Sequence, residues 1–304
     1  MASFFDEIAH NNLRSWILMS LFIALFAFIV FIFVIFLGGG IIAFAIGLVI
    51  ILLYAAFAYF MGHKVVLKFS NAKPATREEY PVLYETVEGL ALAAQVPNPQ
   101  IYIINDPNPN AFATGNDRKH SYVCVTTGLL QMMDNREMQG VLAHEMSHIY
   151  DNDIRFMMIA VVFAGVIGII SAFIRNMLLF GFYGGGGRRG GGGEIGVYLL
   201  IIAIVVGILA PVFALLIRLA ISRRREYMAD ANGARMIRDP AALANALAKI
   251  KAYTEKPNAT SLKSANEITA SLYFSSPFTK KSLMNIFSTH PPIDERIDRL
   301  KKMY

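Results

Sequence analysis

The chain has 304 residues, a formal net charge of +6, and 55% hydrophobic against 16% charged residues. Soluble domains are about a quarter charged, so the composition argues against a soluble globular protein and for one that meets lipid. The length allows more than one folding unit, and the single cysteine, Cys124, excludes an internal disulfide.

Ile17 to Leu37 and Ile41 to Met61 are the first two runs long enough to cross a bilayer, which takes about 20 apolar residues. Only Gly38-Gly39-Gly40 separates them, so they read as a tight helical hairpin. Trp16 sits at the start of the first run, where an interfacial anchor belongs. That run is longer than the roughly 7–15 residues of a signal-peptide core, and a second run follows at once. It reads as a retained anchor.

A polar segment follows, from His63 to Arg155. It opens with a helix ending near Gln95, and Asn98-Pro99 breaks the chain. Gln100 to Ile104 and Tyr122 to Thr126 read as strands, with Cys124 as a small buried hydrophobe. Asp134 and Glu137 have capping-box spacing and open a second helix. The third and fourth apolar runs are Phe156 to Phe180 and Ile195 to Ile221. The glycine tract Gly184 to Gly193, broken by Arg188-Arg189, reads as a flexible connector between them. Arg175 lies near a run's end and can snorkel. Pro211 predicts a kink of the kind membrane bundles tolerate. In the last segment Asp239 caps a helix that Pro240 starts and that runs to about Ala252. Thr254 to Ser288 reads as mobile or irregular, which motivates a self-cleavage expectation.

Orientation follows from the basic residues. Arg14, Lys64, Lys68, Lys73, Arg155, Arg218 and Arg223 to Arg225 flank one set of ends; Arg188-Arg189, with Arg175 near, flank the other. Both termini and both polar segments are thus expected in the cytoplasm. The positive charge is explained by these flanks, so no nucleic-acid partner is expected.

The chemistry is carried by His144-Glu145-Met146-Ser147-His148. Histidines four apart lie on one helix face, one turn apart, and both reach one metal ion. Glu145 stands beside the first. Such a metal polarises a water molecule, and the glutamate takes its proton and returns it to the leaving amine. A catalytic zinc needs a third protein ligand and an open position. Glu226 is the candidate: two crossings return the chain to the face it left, so the two helices can meet. Asp230, four residues on, is placed to orient a ligating histidine. On spacing alone, an exposed acidic pair offsetting Arg223 to Arg225 remains an equal reading. His290, in Ser288-Thr289-His290-Pro291-Pro292, is a candidate donor to the tetrahedral oxyanion. His10, His63 and His120 read as ordinary surface or interfacial residues.

Together, His144 to His148, Glu226 with Ala229-Asp230, Asn110-Ala111-Phe112-Ala113-Thr114-Gly115 and Thr289-His290-Pro291-Pro292 resemble the HtpX-type heat-shock membrane metallopeptidases. A more distant resemblance is to the CAAX prenyl proteases. The resemblance implies a membrane α-helical plus α+β protein: four transmembrane helices and a cytosolic gluzincin-type domain built from two chain segments. It implies one Zn2+ per chain on His144, His148 and Glu226, Glu145 as general base, and His290 at the oxyanion with Arg296 in support. Asn110, Ala111, Phe112 and Ala113 would form the edge strand that holds substrate by β-augmentation. The implied activity is endopeptidase cleavage of misfolded membrane proteins at the cytosolic face of a bacterial or archaeal membrane.

The expected division is 1–62 for the first hairpin, 63–155 for the first catalytic segment, 156–221 for the second hairpin and 222–304 for the second catalytic segment. The rival readings are an intramembrane protease, a prenyl-peptide protease, and a non-catalytic membrane adaptor with a closed zinc site.

Overall fold

The computed structural model describes residues 13, 16–17, 19–28, 31, 34, 40–163, 223–256, 272–275 and 291–303. The third run beyond residue 163, the fourth run, the glycine tract, Arg175, Pro211, His10 and His290 lie outside them, as does most of Thr254 to Ser288.

Helix α1 is Met19–Phe28 and α2 is Ile41–Phe69. Helix α2 has a stretch of mean hydropathy 2.8 that is only 17% buried. Ile41, Ile42, Ile46, Ile50, Leu53 and Phe60 point outward from it. An apolar belt of this extent is a surface made for lipid rather than water. The helix outlasts the apolar run by some two turns, and there it meets the catalytic unit. His63 is buried, against expectation. Its Nδ1 lies 2.9 Å from Asn116 Oδ1, and its ring stacks on Tyr122 at 4.9 Å.

The sheet has one strand more than the two read from pattern and the edge strand implied by the resemblance. Its strands are β1 (Ala72–Pro74), β2 (Gln100–Ile104), β3 (Ala111–Gly115) and β4 (Ser121–Thr126), in the order β1-β2-β4-β3. The β2–β4 pair is parallel; the β1–β2 and β3–β4 pairs are antiparallel. Alternation assigns the side chains to two faces. Ile101, Ile103, Ala111, Ala113, Val123 and Val125 join one core. Ile104, Phe112 and Cys124 join a second, with Phe22 and Val66. A sheet covered on both faces explains why β2 and β4 are apolar almost throughout.

Helix α3 (Pro81–Ala94) packs on α5 (Asn135–Tyr150), and helix α4 (Thr127–Met132) follows β4 and leads into α5. Residues 153–163 form α6. After the undescribed stretch come α7 (Arg223–Ile237), α8 (Pro240–Thr254) and α9 (Ile293–Lys301). Helix α5 is central, packed against α3, α7, α8 and β3. Two glycines permit the approach. A Cβ on Gly140 would lie 2.7 Å from Leu243 N, and one on Gly233 2.9 Å from His144 N.

The expected capping box is present. Asp134 Oδ1 accepts from Glu137 N at 2.9 Å, and Glu137 Oε2 from Asp134 N at 3.0 Å. Asp134→Ala is expected to destabilise the protein by about 0.5–2 kcal/mol, read as a lower thermal midpoint of the purified protein in detergent. An unchanged midpoint would show that packing alone fixes the start of α5.

Candidate active site

Both histidines project from one face of α5 and are buried with Glu145. Helix α7 crosses α5 at Gly233 and brings in Glu226. The His144 and His148 Nε2 atoms are 3.2 Å apart. Glu226 Oε2 is 3.7 Å from the first and Glu226 Oε1 3.6 Å from the second. Ligands about 2.0–2.2 Å from a tetrahedral zinc lie roughly 3.3–3.6 Å from one another. The donor set therefore fits zinc in both kind and spacing. Among the described residues it has three members.

Each imidazole is fixed from its far side. His144 Nδ1 is 2.9 Å from Asp230 Oδ1. His148 Nδ1 is 3.1 Å from Asp153 Oδ2. Carboxylates accepting from Nδ1–H leave both Nε2 atoms free for a metal. Burial lowers the His144 ring to about 4, with the Arg296 charge adding to this against Asp230. His148 moves the other way, to about 9. Burial opposes that rise, but the Asp153 hydrogen bond and the charges of Glu226, Asp153 and Glu145 outweigh it. A field that holds a proton on a buried imidazole also favours a divalent cation.

Glu226 and Asp230 are 3% and 2% exposed, which disposes of the exposed acidic pair. Asp230 is gripped by Arg296, Nε to Oδ2 at 2.9 Å and Nη2 to Oδ1 at 2.7 Å. Arg296 is itself fully buried. Left alone, burial would raise the Asp230 carboxyl, but Arg296 and His144 hold it below its ordinary value.

Glu145 is buried, and Oε1 has no hydrogen-bond partner among the described residues. Burial raises its carboxyl to about 7, and the Glu226 charge adds to the rise. The Ala113 backbone N–H hydrogen-bonds to it and opposes the shift, as does the His148 charge. Strand β3 thus touches the glutamate directly.

Asn110 and β3 lie at the sheet edge, as expected for Asn110 to Ala113. That edge is already engaged by Leu272–Ser275, part of the stretch expected to be mobile. Phe274 N donates to Ala111 O at 2.8 Å. Asn110 Nδ2 donates to Ser275 O at 3.0 Å. The Phe274 carbonyl accepts from Arg296 Nη1 at 2.9 Å, and its ring lies edge-on to His144 at 4.9 Å. These four residues are buried, so here the chain is ordered by packing. Three participants lay beyond the sequence reading: Asp153, Arg225 and Phe274. Arg225 reads as a charge flanking the membrane, yet it and Asp153 are both buried. The sequence carries no periodic signal for Phe274.

A paired-histidine helix beside an edge strand, with a carboxylate from a later helix as third ligand, defines a zinc metallopeptidase. Residues 77–304 match peptidase family M48. A protease HtpX homolog of Caldanaerobacter subterraneus is 46% identical over 302 residues, covering 98% of this chain and 97% of that protein. Homologs bearing the same name from Dictyoglomus turgidum and Streptococcus gordonii are 41% and 40% identical, over 99% and 98% of this chain and 95% and 99% of theirs. A crystal structure of Ste24p from S. mikatae aligns with a TM-score of 0.48 at 20% identity, over 83% of this chain and 57% of that one. The chain belongs to peptidase family M48, and it is a membrane-bound zinc metallopeptidase acting on polypeptides.

Proposed function

We propose that the protein is an endopeptidase that cleaves misfolded or damaged membrane proteins at the cytosolic face of a bacterial or archaeal plasma membrane. Four spans would divide it into 1–62, 63–155, 156–221 and 222–304, with both termini cytoplasmic. The apolar belt of α2 and the basic residues beyond it support this placement.

His144, His148 and Glu226 hold the zinc, which supplies a Lewis acid. Glu145 takes the proton from the attacking water and delivers it to the leaving amine. Asp230 orients His144, and Arg296 fixes Asp230. His290 donates to the oxyanion. Asn110 to Ala113 bind the substrate backbone as an added strand. Pairing at Ala111 then entails exchange with Phe274, which holds that carbonyl now. The observation that carries the reading is Glu145 Oε1, without a hydrogen-bond partner among the described residues and buried beside three donors at zinc spacing.

Glu226→Ala tests it. The purified variant is expected to lose zinc on dialysis and, with it, casein cleavage. A chelator is expected to abolish wild-type cleavage, and added zinc to restore it. A variant that keeps stoichiometric zinc would remove Glu226 from the ligand set. Cleavage confined to prenylated peptides would favour the prenyl-peptide reading instead.

A further inference from the structure

On an unbroken α-helix, positions five apart point about 140° away from each other. Asp153 lies five residues after His148 and still reaches its ring. The reason is local. Helix α5 ends at Tyr150, and Asn152 takes φ 57°. Asparagine tolerates that left-handed conformation better than most residues. The helical register breaks there, and Asp153 enters α6 with its carboxylate against the His148 ring.

The other Asp153 oxygen faces Arg225, with Nη1 3.3 Å from Oδ1. The Arg225 guanidinium also lies over the Phe156 ring at 4.9 Å. Arg225 and Asp153 are 6% and 2% exposed. A buried aspartate at 3.1 Å from a histidine Nδ1, locked by a buried arginine, is a built device rather than a surface ion pair.

We infer that Asp153, held by Arg225, is the positioning residue for His148. Asp153 accepts from Nδ1–H, fixes the ring's rotation, and presents Nε2 toward Glu226. Its role parallels that of Asp230 at His144, with Arg225 in the place of Arg296. The two clamps differ in what they join. Asp153 starts α6, and Arg225 immediately precedes Glu226 on α7. One ion pair therefore sets the second ligand's orientation and ties α6 to the helix that supplies the third. This inference rests on His148 being a ligand.

The test is zinc affinity by chelator competition, and the visible spectrum of the Co2+-substituted protein, for full-length enzyme in detergent. Loss of a carboxylate behind a ligating histidine typically costs about 10–100-fold in metal affinity. Asp153→Ala is expected to show that loss and an altered Co2+ spectrum. Asp153→Asn keeps an oxygen acceptor and is expected to recover most of the affinity. Arg225→Lys is expected to fall between Asp153→Asn and Asp153→Ala. Wild-type affinity and spectrum in Asp153→Ala would overturn the proposal. So would an Asp153→Asn variant as impaired as Asp153→Ala. If Asp153→Ala does not fold, the comparison of Asp153→Asn and Arg225→Lys with wild type decides: a wild-type spectrum and affinity in both refutes the clamp. His148→Ala is the control. Undiminished zinc affinity there would refute the ligand assignment itself, whereas a loss there without one in Asp153→Ala refutes only the clamp.

Discussion

Glu145→Gln is expected to bind zinc at wild-type stoichiometry and to lose proteolysis by on the order of 10²- to 10⁴-fold, the usual contribution of a positioned base. The substitution is nearly isosteric. Its amide oxygen can still accept from Ala113 N–H, so β3 and α5 stay in register. The three metal donors are untouched. What is lost is the ability to take a proton at the oxygen that has no partner among the described residues. Metal content by elemental analysis and casein cleavage on the same sample give both readouts. Cleavage within a few-fold of wild type would remove Glu145 from the chemistry. Loss of zinc together with cleavage would show that the side chain builds the site rather than working in it.

The second large effect lies outside the donor set. Gly233→Ala is expected to destabilise the protein by about 1–3 kcal/mol, the usual range for overpacking, and to weaken zinc binding as well. The added methyl would meet His144 N at 2.9 Å, Ala143 C at 3.0 Å and His144 Cα at 3.1 Å. All three are backbone atoms of α5, with no side chain to swing aside, so α7 must move away and take Glu226 with it. Gly140→Ala forces a similar clash, against Leu243 of α8. It should lower the melting temperature while leaving zinc affinity closer to wild type. Gly89→Ala is the neutral control, since nothing lies within 4 Å of its added methyl. It should gain up to about 1 kcal/mol from helix propensity. A Gly233→Ala protein with wild-type melting temperature and zinc affinity would mean that the two helices tolerate a wider spacing.

What was legible in the sequence follows what is local. The capping box and the four-residue histidine spacing are short-range patterns, and a helix converts them directly into geometry. Glu226 was reachable only through topology, by counting crossings, and spacing alone left it tied with a surface acidic pair. Strand β3, Ala111 to Gly115, was legible as a motif but not as a strand by pattern. Alanine, threonine and glycine give no sharp alternation, and its burial on both faces comes from layers supplied elsewhere. Strand β1 is three residues long and ends in proline. Asp153 was illegible for a definite reason: five-residue spacing is off-face on a helix, and only the left-handed Asn152 reverses it. Arg225 was read as a membrane flank because the sequence shows charge but not the carboxylate it meets 72 residues earlier. Leu272 to Ser275 sits within polar residues, and only the fold reveals what it packs on.

Helix α2 is unbroken from its apolar belt to the His63 contact with the β3–β4 hairpin. The eight residues past Met61 rise about 12 Å, a stiff lever with no joint along it. A bilayer thinner than a helix's apolar length tilts that helix. Tilt of α2 would therefore reach Asn116 and Tyr122 as displacement, in the same hairpin as the strand that touches Glu145. With α2 spanning the bilayer as proposed, membrane thickness would become a mechanical load on the catalytic unit, and enzyme reconstituted in short- and long-chain lipids is the material in which to feel it.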